Sequence, residues 1–244
     1  MPGPFTAELT ARTSIAPGIA ELAFTMRTPE RLSFRAGQFV SLALPSPAPG
    51  DPNVPAVPRR SYSIASQSSA GDVLRFIIRV IPEGKASDYL MALPLGATVT
   101  MTGPHGFFVL DPVHAGDVVF AATGTGVAAV MPMLGELAAR GPSARKTVVF
   151  WGLRRQEDIF LRDEIDALAA VSGAELAIHL TAPGPEWPGL RGRITPALLE
   201  RLPSFTAPTF YLVGNGAMIT ELKRELISRG VNRKTQIRTE AFFD

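Results

Sequence analysis

The second half of this 244-residue chain alternates apolar, β-branched runs with helical stretches, and this alternation restricts the fold more than any other feature. Such alternation is typical of a parallel sheet covered by helices on both faces. It predicts a five-stranded, doubly wound α/β domain over residues 113–244. The expected strands are Asp117–Ala122, Thr147–Gly152, Glu175–Thr181, Thr209–Gly214 and Thr235–Glu240. The expected helices are Val127–Arg140, Asp158–Ala170, Thr195–Leu202 and Ala217–Arg229.

The first half is a series of short apolar runs separated by Pro, Gly and Ser. Six short strands with tight turns indicate a closed antiparallel barrel over residues 1–112. One helix is expected at Lys85–Leu93, and the Pro-rich stretch Pro45–Pro58 is predicted to be a surface loop. The expected strands are Phe5–Thr13, Ile19–Met26, Gln38–Leu44, Arg60–Ser66, Val73–Ile81 and Thr98–Gly103.

Composition excludes several function classes. The 244 residues contain no Cys, so they hold no disulfide, thiolate zinc site or cysteine-ligated iron–sulfur cluster. The three His (His105, His114 and His179) are widely separated, so no metal site is expected. A net charge of +2 gives no electrostatic reason to expect nucleic acid as a partner.

One uncharged segment, Val118–Gly135, approaches the length of a membrane span. It is interrupted by Gly124, Gly126 and Pro132, so we expect a buried strand, a Gly turn and a buried helix. The N-terminal residues lack the basic and apolar regions of a secretory signal. The sequence therefore predicts a soluble, cytoplasmic protein without membrane insertion.

A Gly-rich turn links the first expected parallel strand to its helix. Residues Thr123–Ala129 read TGTGVAA, a G-x-G-x-x-A pattern between a strand and a helix. Glycines at these positions let backbone amides approach a pyrophosphate, and the helix N-terminus favours its negative charge. A purely structural Gly turn would have a similar sequence, so both interpretations stay open on this motif alone.

The next strand bears on the choice of dinucleotide. NAD sites usually carry an Asp or Glu at its end, to bind the ribose 2′-hydroxyl. Here the strand ends in Arg154, and a guanidinium suits a 2′-phosphate. We therefore interpret Arg154 and Arg193 as a 2′-phosphate site and expect a preference for NADPH. The alternative is that both are ordinary surface arginines.

In the first half, the segment Arg60–Ser66 (RSYSIAS) places Arg60, Tyr62 and Ile64 on one face of a strand and Ser61 and Ser63 on the other. The first face offers a cation for a phosphate and an aromatic ring for a flat ligand. Tyr and Ser are also ordinary strand residues, so the strand alone does not identify a site.

Four motifs, in order along the chain, together resemble those of the ferredoxin–NADP(+) reductase superfamily. They are R-x-Y-S at Arg60–Ser63, G-x-x-S at Gly84–Ser87, the Gly turn Thr123–Gly126, and the late strand–turn–helix segment Gly214–Met218. The resemblance extends over essentially the whole chain. Within the superfamily, the chain is similar to bacterial ferredoxin/flavodoxin–NADP(+) reductases. It implies that the barrel binds flavin and that the α/β domain binds NADP(H).

The resemblance also implies roles for the barrel residues. Arg60 would bind the flavin pyrophosphate, Tyr62 would stack on the isoalloxazine ring, and Ser63 would lie near N5, the atom that receives the hydride. The rest of the FAD site would comprise Ser61 and the turn formed by Gly84, Lys85, Ala86 and Ser87.

For the second domain, the resemblance implies a dinucleotide site and a tail that returns to the flavin. The tail Glu240–Asp244 is similar to the ending of one bacterial group. There the residue matching Ala241 leaves the flavin face open, and the one matching Phe242 supports the FAD adenine. Tyr62, Ser63 and Phe242 are therefore the expected catalytic residues. The expected NADP(H) contacts are Thr123, Gly124, Thr125, Gly126, Arg154, Arg193, Gly214 and Met218.

Three positions depart from the family pattern. Ala129 stands where Pro is frequent, Val213 where a Cys often helps to place the nicotinamide, and Ala182 where a third 2′-phosphate Arg is found. In addition, Asp158–Glu164 and Glu186–Pro188 are similar to segments of NADH-using cytochrome b5 reductases.

The expected function is hydride transfer between NADPH and FAD, with single electrons passing to ferredoxin or flavodoxin. One alternative is the NAD(P)H-dependent reductase component of an oxygenase, which would use another iron–sulfur carrier. Another is an FAD-binding electron-transfer subunit of a larger complex that uses no dinucleotide. A monomer is favoured over an oligomer.

Overall fold

The computed structural model describes residues 3–44, 59–112, 116–141 and 143–242, and it divides into two compact units, residues 1–107 and 108–244. Phe108 belongs to the second unit because its ring meets the edge of Tyr211, with 5.7 Å between centroids. The Asp111 amide likewise donates to the Tyr211 hydroxyl at 3.0 Å. The domain boundary expected between residues 112 and 113 stays a prediction.

The first unit is a six-stranded antiparallel sheet, as predicted. The strands are β1 (Gly3–Ala16), β2 (Ile19–Thr28), β3 (Phe39–Ala43), β4 (Arg59–Ser63), β5 (Val73–Arg79) and β6 (Thr98–His105), with helix α1 (Lys85–Ala92) after β5. They are ordered β4-β3-β6-β1-β2-β5. The two end strands approach each other, because the Ala65 amide beyond β4 donates to the Arg75 carbonyl of β5 at 2.8 Å. The loop expected at residues 45–58 lies outside the described residues.

Alternation along the strands forms the core of this unit. Leu22, Phe24 and Met26 share the buried face predicted from the sequence, and each is at most 4% exposed. The ring of Phe24 packs against that of Phe76, with 5.7 Å between centroids. This aromatic pair anchors the sheet on which the first candidate site lies.

The second unit is a parallel sheet covered by helices. Its strands are β7 (Val118–Thr123), β8 (Thr147–Leu153), β9 (Ala174–Leu180), β10 (Leu190–Arg191), β11 (Thr209–Asn215) and β12 (Ile237–Phe242). The helices are α2 (Val127–Ala139), α3 (Arg162–Ser172), α4 (Ile194–Arg201) and α5 (Gly216–Ser228). The strand order is β10-β9-β8-β7-β11-β12.

Two expectations for this unit need correction. The sheet has six strands rather than five, because the exposed two-residue strand β10 is too short to give a periodic signal. Helix α3 begins at Arg162 rather than Asp158. The Asp158 carboxylate accepts the Arg155 amide at 2.8 Å in a separate short turn, and Leu161 then adopts a left-handed backbone with φ of 45°.

The strand order creates a topological switch point between β7 and β11. From the central strand β7 the chain builds outward to β10, then returns to place β11 on the other side of β7. The connection after β7 leads to β8 on one side, and the connection after β11 leads to β12 on the other. Because they leave in opposite directions, a crevice opens at the carboxyl ends of β7 and β11, where ligands bind in open α/β sheets.

The uncharged segment Val118–Gly135 forms β7, a Gly turn and most of α2, as predicted. Within the described ranges, no helix is long and apolar enough to cross a membrane.

Candidate functional site

Strand β4 carries the first group of candidate residues. Its register with β3 pairs Tyr62 with the buried Val40 and Arg60 with Leu42. Arg60 and Tyr62 therefore share one face of the strand, while Ser61 and Ser63 lie on the other. Tyr62 is partly buried, with its ring 6.3 Å from that of Phe76, whereas Arg60 is exposed.

Burial controls the protonation of Tyr62. Removal from water raises the pKa of its hydroxyl to about 12, and the positive charge of Arg60 offsets part of this effect. The side chain is therefore a neutral phenol throughout the physiological pH range. What it can offer a ligand is an aromatic face and a neutral hydroxyl.

The turn before α1 is the second candidate element. A Cβ atom at position 84 would lie 2.9 Å from the Ile81 carbonyl oxygen, so Gly84 is required for close approach of the backbone. The Gly84 amide donates to that same carbonyl at 3.0 Å. The first amides of the helix, at Lys85, Ala86 and Ser87, have no intrahelical acceptor and are suited to an anion.

The side chain of Ser87 bonds within this turn. Its hydroxyl oxygen accepts the Ile81 amide at 2.9 Å and lies 3.5 Å from the Arg79 carbonyl, and the residue is only 6% exposed. The hydroxyl therefore holds the turn in shape. Contact of this hydroxyl with a phosphate stays a prediction.

Arg60 and the α1 turn lie toward the same end of the barrel. Strands β4 and β5 run antiparallel, and Ala65 pairs with Arg75. Continuing this register brings Arg60 toward the end of β5, where the chain turns into α1. This register places a cation and the first amides of α1 at the same end of the barrel, an arrangement compatible with a pyrophosphate site.

In the second unit, the Gly turn after β7 is held by a buried tryptophan. The indole N–H of Trp151 donates to the Gly124 carbonyl at 3.0 Å. Gly124 has φ of 55°, the left-handed region that favours glycine. This bond joins residues 27 positions apart, so the sequence does not predict it.

The turn after β11 packs directly against the first turn. A Cβ atom at Gly126 would lie 2.9 Å from the Val213 carbonyl oxygen, and one at Gly214 would lie 2.4 Å from the Thr123 hydroxyl. The Thr123 hydroxyl oxygen accepts the Asn215 amide at 2.8 Å. The two glycine turns thus form one backbone-lined crevice at the switch point.

Asn215 and Met218 both contribute to the start of helix α5. The Asn215 side chain caps α5 by accepting the Met218 amide at 3.1 Å, a role not predicted from the sequence. Met218 is only 6% exposed and its side chain packs in the hydrophobic core. Its expected contact with NADP(H) stays a prediction.

The remaining candidates follow the carboxyl ends of the parallel strands. We call this side of the sheet the carboxyl edge. Leu153, Leu180 and Arg191 are in register across β8, β9 and β10. Arg154 and Arg193 follow this row, two strands apart, which corresponds to about 10 Å. Ala182 lies between them, with its amide bonded to the Arg154 carbonyl at 2.8 Å.

The two arginines differ in their partners. Arg154 is exposed, and its side chain makes no hydrogen bond or ion pair with the described part of the chain. Arg193 pairs with Glu221 of α5, at a site where both side chains are partly exposed. An incoming anion would therefore find Arg154 available and would compete with Glu221 for Arg193.

The acidic residues after β8 bond to Arg155. The Asp158 carboxylate accepts the Arg155 amide, and Glu157 lies 3.4 Å from the Arg155 guanidinium. Neither carboxylate occupies the end of β8, where an NAD site would place one.

The C-terminal strand also ends at the carboxyl edge. Ala241 pairs with Gly214 and Phe242 with Asn215. Ala241 is exposed and Phe242 is partly buried. Residues 243–244 lie outside the described residues, and contact of the tail with a flavin stays a prediction. No group of His, Asp and Glu side chains suited to a metal ion occurs in the described ranges.

Comparisons with known proteins give two family matches. The oxidoreductase FAD-binding domain family matches residues 6–110, and the oxidoreductase NAD-binding domain family matches residues 120–224. Ferredoxin–NADP reductase B of Sorangium cellulosum is 36% identical over 240 residues, covering 95% of each chain.

Two further similar proteins are also reductases by name, and one of them is a component of an oxygenase. The reductase component of phenol 2-monooxygenase from a Pseudomonas species is 29% identical, over 86% of this chain and 58% of the relative. The crystal structure of a cytochrome P450 reductase from Amycolatopsis superposes with a TM-score of 0.85 at 27% identity, covering 99% of this chain and 70% of that one.

Proposed function

This chain belongs to the ferredoxin–NADP(+) reductase family, and we propose that it takes a hydride from NADPH through FAD and passes electrons singly to an iron–sulfur protein or flavodoxin. The observation that carries this proposal is the backbone-lined crevice at the switch point, with Arg154 beside it on the carboxyl edge. We assign FAD to residues 1–112 and the dinucleotide to residues 113–244.

The residues of the first unit fit FAD. Arg60 supplies a cation for the pyrophosphate, and the amides of Lys85 and Ala86 supply donors at a helix N-terminus. The neutral ring of Tyr62 supplies a face on which isoalloxazine can stack. FAD, when bound, supplies the conversion of a two-electron donor into single electrons, which no side chain here can perform.

Other parts of the FAD site rest on the family resemblance. We assign Ser63 to the neighbourhood of flavin N5. We assign the small Ala241 to an open flavin face and Phe242 to the support of the adenine. The exposure of Ala241 and partial exposure of Phe242 are compatible with these roles.

The second unit fits a pyridine dinucleotide phosphate. Thr123–Gly126 and Gly214 line the crevice with backbone, which allows close approach of a pyrophosphate. Arg154 and Arg193 stand where a 2′-phosphate would lie, and no free carboxylate of β8 opposes it. Ala182 supplies no third cation, so we expect the preference for NADPH to depend on these two side chains.

A paired measurement tests this proposal. FAD-loaded protein is assayed with NADPH and with NADH, using cytochrome c as final acceptor, in the presence and absence of added ferredoxin or flavodoxin. We expect stimulation by the carrier and higher kcat/KM with NADPH. No stimulation by either carrier would contradict the proposed acceptor.

Substitutions test the dinucleotide preference separately. Arg154→Ala removes a charge-assisted contact worth about 1.5–3 kcal/mol, so the NADPH/NADH ratio of kcat/KM should fall by roughly 10- to 100-fold. Arg162→Ala is the control, because Arg162 is an exposed cation paired with Asp166 on α3. An unchanged ratio in Arg154→Ala would remove the 2′-phosphate assignment.

The relationship to oxygenase reductases favours a second candidate acceptor. In that case the electrons would go to the iron–sulfur protein of an oxygenase. The cluster must be supplied from outside these 244 residues, which lack Cys. Reduction of an isolated oxygenase iron–sulfur component at a higher kcat/KM than ferredoxin or flavodoxin would select this function.

A further inference from the structure

One arginine of β1 bonds to the backbone at the C-terminal end of helix α1. The Arg12 guanidinium nitrogen Nη1 donates to the Leu93 carbonyl at 2.6 Å and to the Leu90 carbonyl at 3.3 Å. Leu93 directly follows the last residue of the helix, Ala92. Arg12 is partly buried and makes no ion pair with an acidic residue in the described part of the chain.

This attachment matters because α1 is weakly stabilised by itself. A helix of eight residues is too short to be stable in isolation. Its last turn contains no basic residue, and the residue before its first turn, Gly84, provides no side-chain cap. A cation at the C-terminal carbonyls compensates the negative end of the helix dipole, and Arg12 supplies it.

Different hydrogen bonds therefore hold the two ends of α1. At the N-terminal end, the Ser87 hydroxyl accepts the Ile81 amide and sets the phosphate-binding turn. At the C-terminal end, Arg12 ties two carbonyls to β1. The buried Leu90 fixes the helix between them. Leu93 is also buried and Tyr89 and Met91 pack on the same core, so loss of the Arg12 bonds would shift the axis of the helix without releasing it. Such a shift would misdirect the amides of Lys85 and Ala86.

We propose that Arg12 is a positioning residue for the flavin pyrophosphate, acting through the axis of α1. This inference rests on the proposed FAD site. Arg12 touches no part of the cofactor in this account. Its effect should therefore appear only for flavins that carry the phosphates which the α1 amides bind.

The test compares two flavins in two variants. Dissociation constants for FAD and for riboflavin, which has no phosphate, are measured by flavin fluorescence with wild-type protein, Arg12→Met and Arg12→Lys. We expect Arg12→Met to weaken FAD on the order of tenfold or more while riboflavin changes less than about twofold, because charge-assisted hydrogen bonds are lost. Arg12→Lys should lie between, since the ammonium keeps the charge but not the planar guanidinium geometry.

Arg27→Met is the matched control. Arg27 lies on the neighbouring strand β2, is 49% exposed and pairs with Glu8, so its loss removes the same charge without touching α1. We expect its FAD and riboflavin affinities to match those of wild type. If Arg12→Met fails to fold, Arg12→Lys decides the question by the same ratio.

Three results would overturn the inference. FAD affinity could be unchanged in both Arg12 variants, FAD and riboflavin could weaken equally, or Arg27→Met could weaken FAD as much as Arg12→Met. Wild-type protein that binds no FAD would instead contradict the proposed function, so the two failures are distinguishable.

Discussion

Substituting Gly126 by Ala should push apart the two glycine turns of the second unit. Gly126 has φ of −57°, an ordinary helical value, so the backbone itself accepts a side chain. The added Cβ would lie 2.9 Å from the Val213 carbonyl oxygen and 3.0 Å from its carbonyl carbon. Backbone atoms of a central strand cannot rotate away, so either the turn or β11 must move. Overpacking of this kind costs about 1–3 kcal/mol.

Gly124, in the same turn, serves as a comparison because its backbone angle, and not a steric clash, favours glycine. A Cβ atom there meets nothing within 4 Å, but φ is 55°. Ala should cost about 1–2 kcal/mol for the left-handed backbone, whereas Asn tolerates that conformation. Asn should therefore be well accepted at position 124 and as harmful as Ala at position 126.

The assay uses the natural tryptophans. The chain has two Trp, Trp151 and Trp187, and both lie in the unit formed by residues 108–244. Their fluorescence during urea unfolding reports on that unit. We expect Gly126→Ala to lower its free energy of unfolding by about 1–3 kcal/mol and Gly124→Asn to stay within about 0.5 kcal/mol of wild type.

Dinucleotide affinity is measured on the same variants. Gly126→Ala should also weaken NADPH, because the Gly124–Gly126 turn moves relative to Gly214. Gly126→Ala protein with wild-type stability and wild-type NADPH affinity would refute the reasoning. So would a Gly124→Asn variant less stable than Gly126→Ala.

Three further outcomes are expected. Glu221→Gln releases Arg193 from its exposed ion pair, so NADPH should bind up to about fivefold tighter while the affinity for NADH stays unchanged. A binding titration checks this. Equal tightening of both dinucleotides would argue against the 2′-phosphate role of Arg193. Burial, with a smaller effect of the Arg201 charge, lowers the pKa of His179, whose two ring nitrogens have no partner in the described structure. Its unfolded form takes up a proton near pH 6.5, so stability present above that pH is lost below it. His179→Leu should reduce this acid loss in Tm measurements, and an unaltered pH dependence would contradict the assignment. Because the pKa of Tyr62 is about 12, Tyr62→Phe should leave the pH profile of flavin reduction unchanged between about pH 6 and 10, and loss of a profile limb there would count against a neutral phenol.

Patterns repeated over many residues were read correctly from the sequence. The strand–helix alternation gave the parallel unit, and the alternation of Leu22, Phe24 and Met26 gave the buried face of β2. Burial imposes these patterns, so they survive in the sequence. Strand β10 carries no such pattern, since it has two exposed residues and exists through its pairing with β9.

The candidate sites were predictable at the level of motifs but not of contacts. The left-handed Gly124 and the close approach at Gly126 follow from the constraints that make glycine necessary. The hydroxyl of Ser87 bonds to the backbone, and the side chain of Met218 lies in the core, because neighbours distant in sequence decide where a side chain points. Trp151 escaped notice since its bond to Gly124 joins residues 27 positions apart.

The most direct test of the account is the visible spectrum of the FAD-supplemented protein under anaerobic conditions. We expect a yellow protein whose long-wavelength flavin absorbance is bleached by a stoichiometric amount of NADPH, and more slowly by NADH. A protein that stays colourless after supplementation, or a yellow protein that neither dinucleotide bleaches, would contradict it.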